Sequence, residues 1–77
     1  MKFEIYSRIR MLTDTYRGEN APAGAVGYII EVYPENHYEI EFSNENGITI
    51  AQIVAGGDEI ELYPENVEQG TERITTS

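Results

Sequence analysis

Near the middle of the chain, Tyr38-Glu39-Ile40-Glu41-Phe42 alternates strictly between apolar and acidic residues. Successive side chains of a strand point to opposite faces, so this segment reads as a ribbon with one side for a core and one for water. A helix would scatter both kinds of residue around its axis. The same period of two runs through Phe3-Glu4-Ile5-Tyr6-Ser7-Arg8-Ile9-Arg10-Met11, where odd positions are mostly apolar. That predicts a half-buried strand or strand pair. Val26 to Tyr33 is apolar nearly throughout and reads as a central strand with both faces partly covered. Ile48 to Val54 is rich in β-branched residues, and its apolar phase slips between Ile50 and Ile53, which predicts a bulge or bend. Glu59-Ile60-Glu61-Leu62 gives a short fifth strand.

The connections agree. Asn44-Glu45-Asn46-Gly47 is a hairpin signal, because Asn and Gly both tolerate positive φ. Pro34 ends the pairing between the second and third strands. Ala55-Gly56-Gly57-Asp58 reads as a loop, and Thr13 to Ala25 as the longest connection. No stretch carries a helical period. The expectation is an all-β domain, a small barrel or sandwich of about five antiparallel strands, over residues 1–67 with a fraying tail at 68–77. Closure of the sheet would remove its exposed edges. A chain of 77 residues buries only about 60–65% of the surface its unfolded form exposes, leaving little material for a deep pocket.

Charge narrows the function. The net charge is −9, and it is unevenly placed. Residues 1–30 carry Lys2, Arg8, Arg10 and Arg17 against Glu4, Asp14 and Glu19, whereas residues 31–72 carry eleven acidic side chains and no Lys or Arg. Phosphate-rich nucleic acid and anionic membrane would both be repelled by the acidic part. A basic protein partner would be drawn to it, and that attraction is set against the simpler role of keeping the surface soluble. With no cysteine, disulfides and thiolate metal sites are excluded, which fits a cytoplasmic protein. No apolar run approaches the roughly 18 residues of a membrane helix. The N-terminus shows no hydrophobic region of a signal peptide.

Catalytic constellations are thin. His37 is the one histidine, and neither Ser7 nor Ser43 has an activating neighbourhood in sequence. Glu35-x-His37-x-Glu39 offers three ligand types, yet alternate residues on a strand splay along a face, so no metal or other cofactor is expected there. Six tyrosines stand out. Tyr28 and Tyr38 share the inward phase of their strands. Tyr6, Tyr16, Tyr33 and Tyr63 fall at strand ends, in the long loop or on outward phases, either capping barrel ends or serving as contact residues. Tyr33-Pro34-Glu35-Asn36 recurs as Tyr63-Pro64-Glu65-Asn66, either as a turn used twice or as two similar surfaces. The partner-binding set that follows is Tyr33, Glu35, Glu39, Glu41, Tyr63 and Glu65.

Several blocks together resemble a bacterial family catalogued as domain of unknown function 4926: Arg8-Ile9-Arg10-Met11-Leu12-Thr13-Asp14, Pro22 to Tyr33, Tyr38 to Phe42, and Asn46-Gly47-x-Thr49-x-Ala51. The resemblance covers most of residues 1–62 and implies a small SH3-like barrel. It also implies an antitoxin or immunity-like partner in a two-gene module, and no catalytic residues. In such a barrel the first and last strands pair, so Arg8 and Arg10 should meet Glu59 and Glu61. The combined expectation is a cytoplasmic, non-catalytic protein-interaction domain, monomeric or weakly dimeric, with a protein partner of basic character. The alternative is an SH3/KOW-like nucleic-acid-binding barrel, which requires Lys2, Arg8, Arg10 and Arg17 to converge with Tyr16 as a stacking platform.

Overall fold

A computed structural model describes residues 2–64. Glu65, the expected domain boundary at 67 and the tail at 68–77 lie outside the described residues. Five strands form: β1 (Arg8–Met11), β2 (Val26–Tyr33), β3 (His37–Ser43), β4 (Thr49–Gly56) and β5 (Ile60–Leu62), with 3-10 turns at Arg17–Glu19 and Gly57–Glu59. They make one sheet in the order β4-β3-β2-β1-β5, antiparallel throughout. This is the order an SH3-like barrel requires, with the last strand returning beside the first. Among the described residues β4 and β5 do not pair with each other, so the sheet stays open and keeps both edges.

One face carries the core: Ile9 and Met11 from β1, Ile29 from β2, Tyr38, Ile40 and Phe42 from β3, Ala51, Ile53 and Ala55 from β4, and Ile60 from β5. Phe3 and Ala21, outside the strands, complete it. The alternation in β1, β3 and β4 produces this directly. Tyr38 sits edge-on to Phe3, and its hydroxyl accepts from the Phe3 N–H (3.0 Å) and donates to Asn36 Oδ1 (2.8 Å), so a buried polar atom is satisfied twice.

Four expectations are corrected. β1 begins at Arg8 rather than Phe3, because Tyr6 takes a left-handed φ of 72° and the Ser7 N–H turns back to the Glu4 carbonyl. Tyr28 is on the outer face, 42% exposed; the inward phase of β2 belongs to Gly27 and Ile29. Gly27 must be small, since a Cβ there would meet the Glu41 carbonyl oxygen at 2.7 Å and the Phe42 ring at 2.8 Å. Beyond Ile29 the β2–β3 pairing slips at Ile30, and the far half of β2 leaves the core. Glu59 is not in a strand; it belongs to the Gly57–Glu59 turn, where its carboxylate accepts from the Gly56 N–H.

The bulge expected in the fourth strand is present: Phe42 faces Ala51 and Ser43 faces Thr49, which leaves Ile50 extra. The Asn44–Gly47 turn also forms, by another route than two positive φ values. Asn44 Oδ1 accepts from the N–H groups of Asn46 and Ile48, and only Gly47 takes a positive φ, 79°. Between β2 and β3 the left-handed residues are Glu35 (64°) and Asn36 (61°).

Candidate interaction face

Directly opposed residues of antiparallel strands share a face. The pairings Arg8↔Tyr28, Tyr28↔Glu41 and Glu41↔Gln52 therefore set a row across β1, β2, β3 and β4 on the outer side of the sheet. The Tyr63 N–H donates to the Arg8 carbonyl, which brings Tyr63 to the β5 end of that row. A second row reads Glu31, Glu39 and Val54, and a third Tyr33, His37 and Gly56. The outer face is thus divided. Its β1–β5 side holds the arginines, and its β2–β4 side holds the glutamates.

On the arginine side the charges are taken up internally. Arg10 pairs with Glu61 directly across the β1–β5 ladder, with both Nε and a terminal nitrogen donating to Oε2. Arg8 and Arg10 lie over the Tyr63 ring at 5.2 and 4.7 Å from its centroid, and Arg8 donates to the Tyr63 carbonyl at 3.2 Å. The expected pairing of β1 arginines with fifth-strand glutamates is met by Arg10 and Glu61. It is not met by Arg8, which lies against Tyr63 instead, or by Glu59. Tyr63 therefore serves as a platform for cations of its own chain, unlike Tyr33 in the matching motif. Arg17 stands apart in the first 3-10 turn, 3.9 Å from Asp14. Arg8 and Arg10 share the Tyr63 ring, whereas Arg17 lines an open cleft with Asn20, Pro22 and Ile50.

On the glutamate side the carboxylates are held but not neutralised. Glu39 accepts from the Tyr33 hydroxyl and from Gln52 Nε2, both at 2.5 Å, and Glu41 accepts from the Thr49 hydroxyl at 2.5 Å. The Tyr33 hydrogen bond, aided by Gln52, lowers the Glu39 carboxyl below its ordinary value. The same bond raises the Tyr33 phenol, because loss of its proton would set an anion beside a carboxylate. Glu31 directly opposes Glu39, an unfavourable pairing of like charges unless something cationic approaches. Three of the residues expected to bind a partner, Tyr33, Glu39 and Glu41, are therefore gathered on one surface. Glu35 is displaced to the hairpin tip, and Tyr63 lies at the arginine end. Glu31, Gln52 and Val54 belong with the gathered three, and Gln52 and Val54 could be placed there only from the strand pairings.

The end of the sheet near that tip has an open cleft of about 580 Å³ lined by Tyr16, Glu35, Asn36, His37, Asp58 and Glu59 among others. Tyr16 donates to Glu59 Oε1 at 2.8 Å. Burial, that hydrogen bond and the surrounding acids push the Tyr16 phenol up to about 12. Tyr16 is therefore tied down rather than presented as a stacking platform. His37 Nδ1 lies 2.8 Å from the Glu35 carbonyl. Among the described residues, no three or more His, Asp or Glu are grouped to hold a metal ion, and no helix is long and apolar enough to cross a membrane.

A five-stranded antiparallel sheet domain with the strand order of an SH3-like barrel and a divided outer face is thus defined. The model of the family described as "Domain of unknown function (DUF4926)" matches residues 5–62, and the chain belongs to that family. No curated protein and no solved structure matches the chain.

Proposed function

We propose that the chain is a non-catalytic protein-interaction domain, cytoplasmic, whose β2–β4 outer face receives a basic partner. The single observation supporting this is the convergence of Glu31, Glu39, Glu41 and Tyr33 on one side of the sheet. The arginines of the same sheet are engaged at its other end with Glu61 and Tyr63. Uncompensated carboxylates beside an exposed aromatic ring raise the encounter rate of a cationic surface and give it contact area. An antitoxin or immunity-like role, the masking of a basic surface on a companion protein, is the biological form of this reading.

The test is retention of a partner from the source organism's lysate at low ionic strength by the full chain and by the triple variant E31Q/E39Q/E41Q. The full chain should hold a basic protein that elutes as salt rises, because attraction between exposed charges is largely screened beyond about 8–10 Å at physiological ionic strength. The triple variant should fail to hold it. Equal retention by both proteins would remove the acidic face from the reading.

A further inference from the structure

The open edge of the sheet, β4, has a composition that edge strands normally avoid. From Ile48 to Gly57 no residue is charged, and the outward side chains Ile50 and Val54 are 45% and 46% exposed. Natural sheets blunt such edges with lysine, proline or covering loops, because unpaired N–H and C=O groups template the addition of another strand.

The phase of the β3–β4 ladder shows which groups remain open. The Gly57 N–H donates to the Asn36 carbonyl, in line with the pairings His37↔Gly56 and Tyr38↔Ala55. In an antiparallel pair the hydrogen-bonded and non-hydrogen-bonded positions alternate. Ala55 and Ile53 are thereby turned toward β3, while Gly56, Val54 and Gln52 direct their N–H and C=O groups away from it. Both flanks of this outward row are covered by the chain itself. Glu59 accepts the Gly56 N–H at 2.9 Å, and Asn20 Nδ2 donates to the Ile50 carbonyl at 3.3 Å. Among the described residues nothing hydrogen-bonds the outward backbone groups of Gln52 and Val54. The edge is therefore closed at both ends and open over one short window.

We propose that this window is where the partner docks, by adding an extended segment that alternates Lys or Arg with apolar residues as a strand beside β4. This inference rests on the interaction reading above and deepens it by naming the mode of docking. Charge selects the occupant. Glu39 and Glu41 lie one strand behind the edge, on the same face as Gln52 and Val54. A basic residue on that face of an added strand reaches toward both carboxylates across the uncharged β4 side chains, and its alternate residues continue the apolar face. A second copy of this chain is the wrong occupant, since edge-to-edge pairing would join two chains of net charge −9 with these glutamates near the seam.

The probes are two ten-residue peptides, one alternating lysine with valine and one alternating glutamate with valine, followed by amide NMR shifts of the full chain. The lysine peptide should bind, with its largest shifts at the Gln52 and Val54 amides, and should weaken as salt is added. The glutamate peptide should not bind. V54P removes an N–H that β3 does not use, so proline is tolerated there as on other edge strands, and it should weaken the lysine peptide about tenfold or more. Should V54P fail to fold, a lysine peptide N-methylated at every residue poses the same question to the unaltered protein, because it keeps its charge and has no N–H on either edge to pair with. E39Q/E41Q should weaken binding and flatten its salt dependence. Undiminished binding of the N-methylated peptide would overturn strand addition while leaving the acidic face intact. No binding of the lysine peptide, or equal binding of both peptides, would overturn the proposed occupant. Concentration-dependent dimers that V54P abolishes would assign the window to a second copy and overturn it too. Failure of the glutamate-to-glutamine retention test, with peptide binding preserved, would instead remove the function reading alone.

Discussion

At the residue scale the one polar side-chain atom that the described core holds is the Tyr38 hydroxyl, satisfied by Phe3 and Asn36, so the ionisable chemistry lies at the margins. Tyr16 is the most perturbed of these marginal groups. Its hydroxyl donates to Glu59, which also holds the Gly56 N–H, so one carboxylate joins the long loop to the end of β4. Ionising the phenol would bury an anion beside Glu59, Glu19 and Asp58, which is why its pKa rises from 10.0 to about 12. The folded state then holds the proton more tightly than the unfolded one. The stabilisation is complete below pH 10, falls as pH rises from about 10 to 12, and is gone above that range. Tyr33 shifts in the same direction, so Y16F should flatten the alkaline loss of stability without abolishing it. Urea midpoints at pH 8, 9, 10 and 11 for the two proteins measure this, and parallel curves would show that Tyr16 is not the group responsible.

At the element scale, β-branched richness marked β4, and period-two alternation was enough to find β3 and β5, because an apolar residue at every second position leaves little choice of face. It failed where backbone conformation overrides pattern. Tyr6 at positive φ cuts β1 short, although Phe3 and Ile5 keep the strand's phase. In β2 the run of apolar residues concealed the phase, and the buried position proved to be a glycine. A side chain that is absent leaves no mark in a hydrophobicity pattern, and the space above Gly27 is taken by the Phe42 ring from another strand. The acidic face was legible as a set of glutamates. Its boundary was not, since that depends on the slip at Ile30, which brings Glu31 opposite Glu39. G27A tests the β2–β3 fit. Its Cβ would stand 2.7 Å from a backbone oxygen and 2.8 Å from the Phe42 ring, and a backbone atom gives way least. A loss of about 1–3 kcal/mol is expected, as for other overpacked cores. G18A, where nothing lies within 4 Å, should change stability by less than about 1 kcal/mol. Denaturant titration of both variants decides it, and equal effects would mean that β2 and β3 can part at little cost.

At the scale of the whole molecule, the charge that attracts a basic partner also opposes folding. The chain carries −9, and its β1–β5 cations are already engaged with Glu61 and Tyr63, so they do little to offset the glutamates of β2 and β3. Compaction brings Glu31, Glu39 and Glu41 onto one face, closer together than they would be in the unfolded chain, and their repulsion subtracts from stability. Exposed charges are screened over about 10 Å at 0.1 M salt and 30 Å at 0.01 M. Stability should therefore rise as sodium chloride goes from about 10 to 300 mM, by an amount on the order of 1 kcal/mol. Attraction to a basic partner should weaken over the same range. The two responses have opposite sign and a common origin, so E31Q/E39Q/E41Q should diminish both: it should be more stable than the parent at low salt and gain less from added salt. Thermal unfolding of parent and variant at several salt concentrations measures this. If the parent gains no stability with salt, or the variant gains as much, the acidic face is not a region of stored repulsion, and the affinity it is proposed to provide would lose its electrostatic basis.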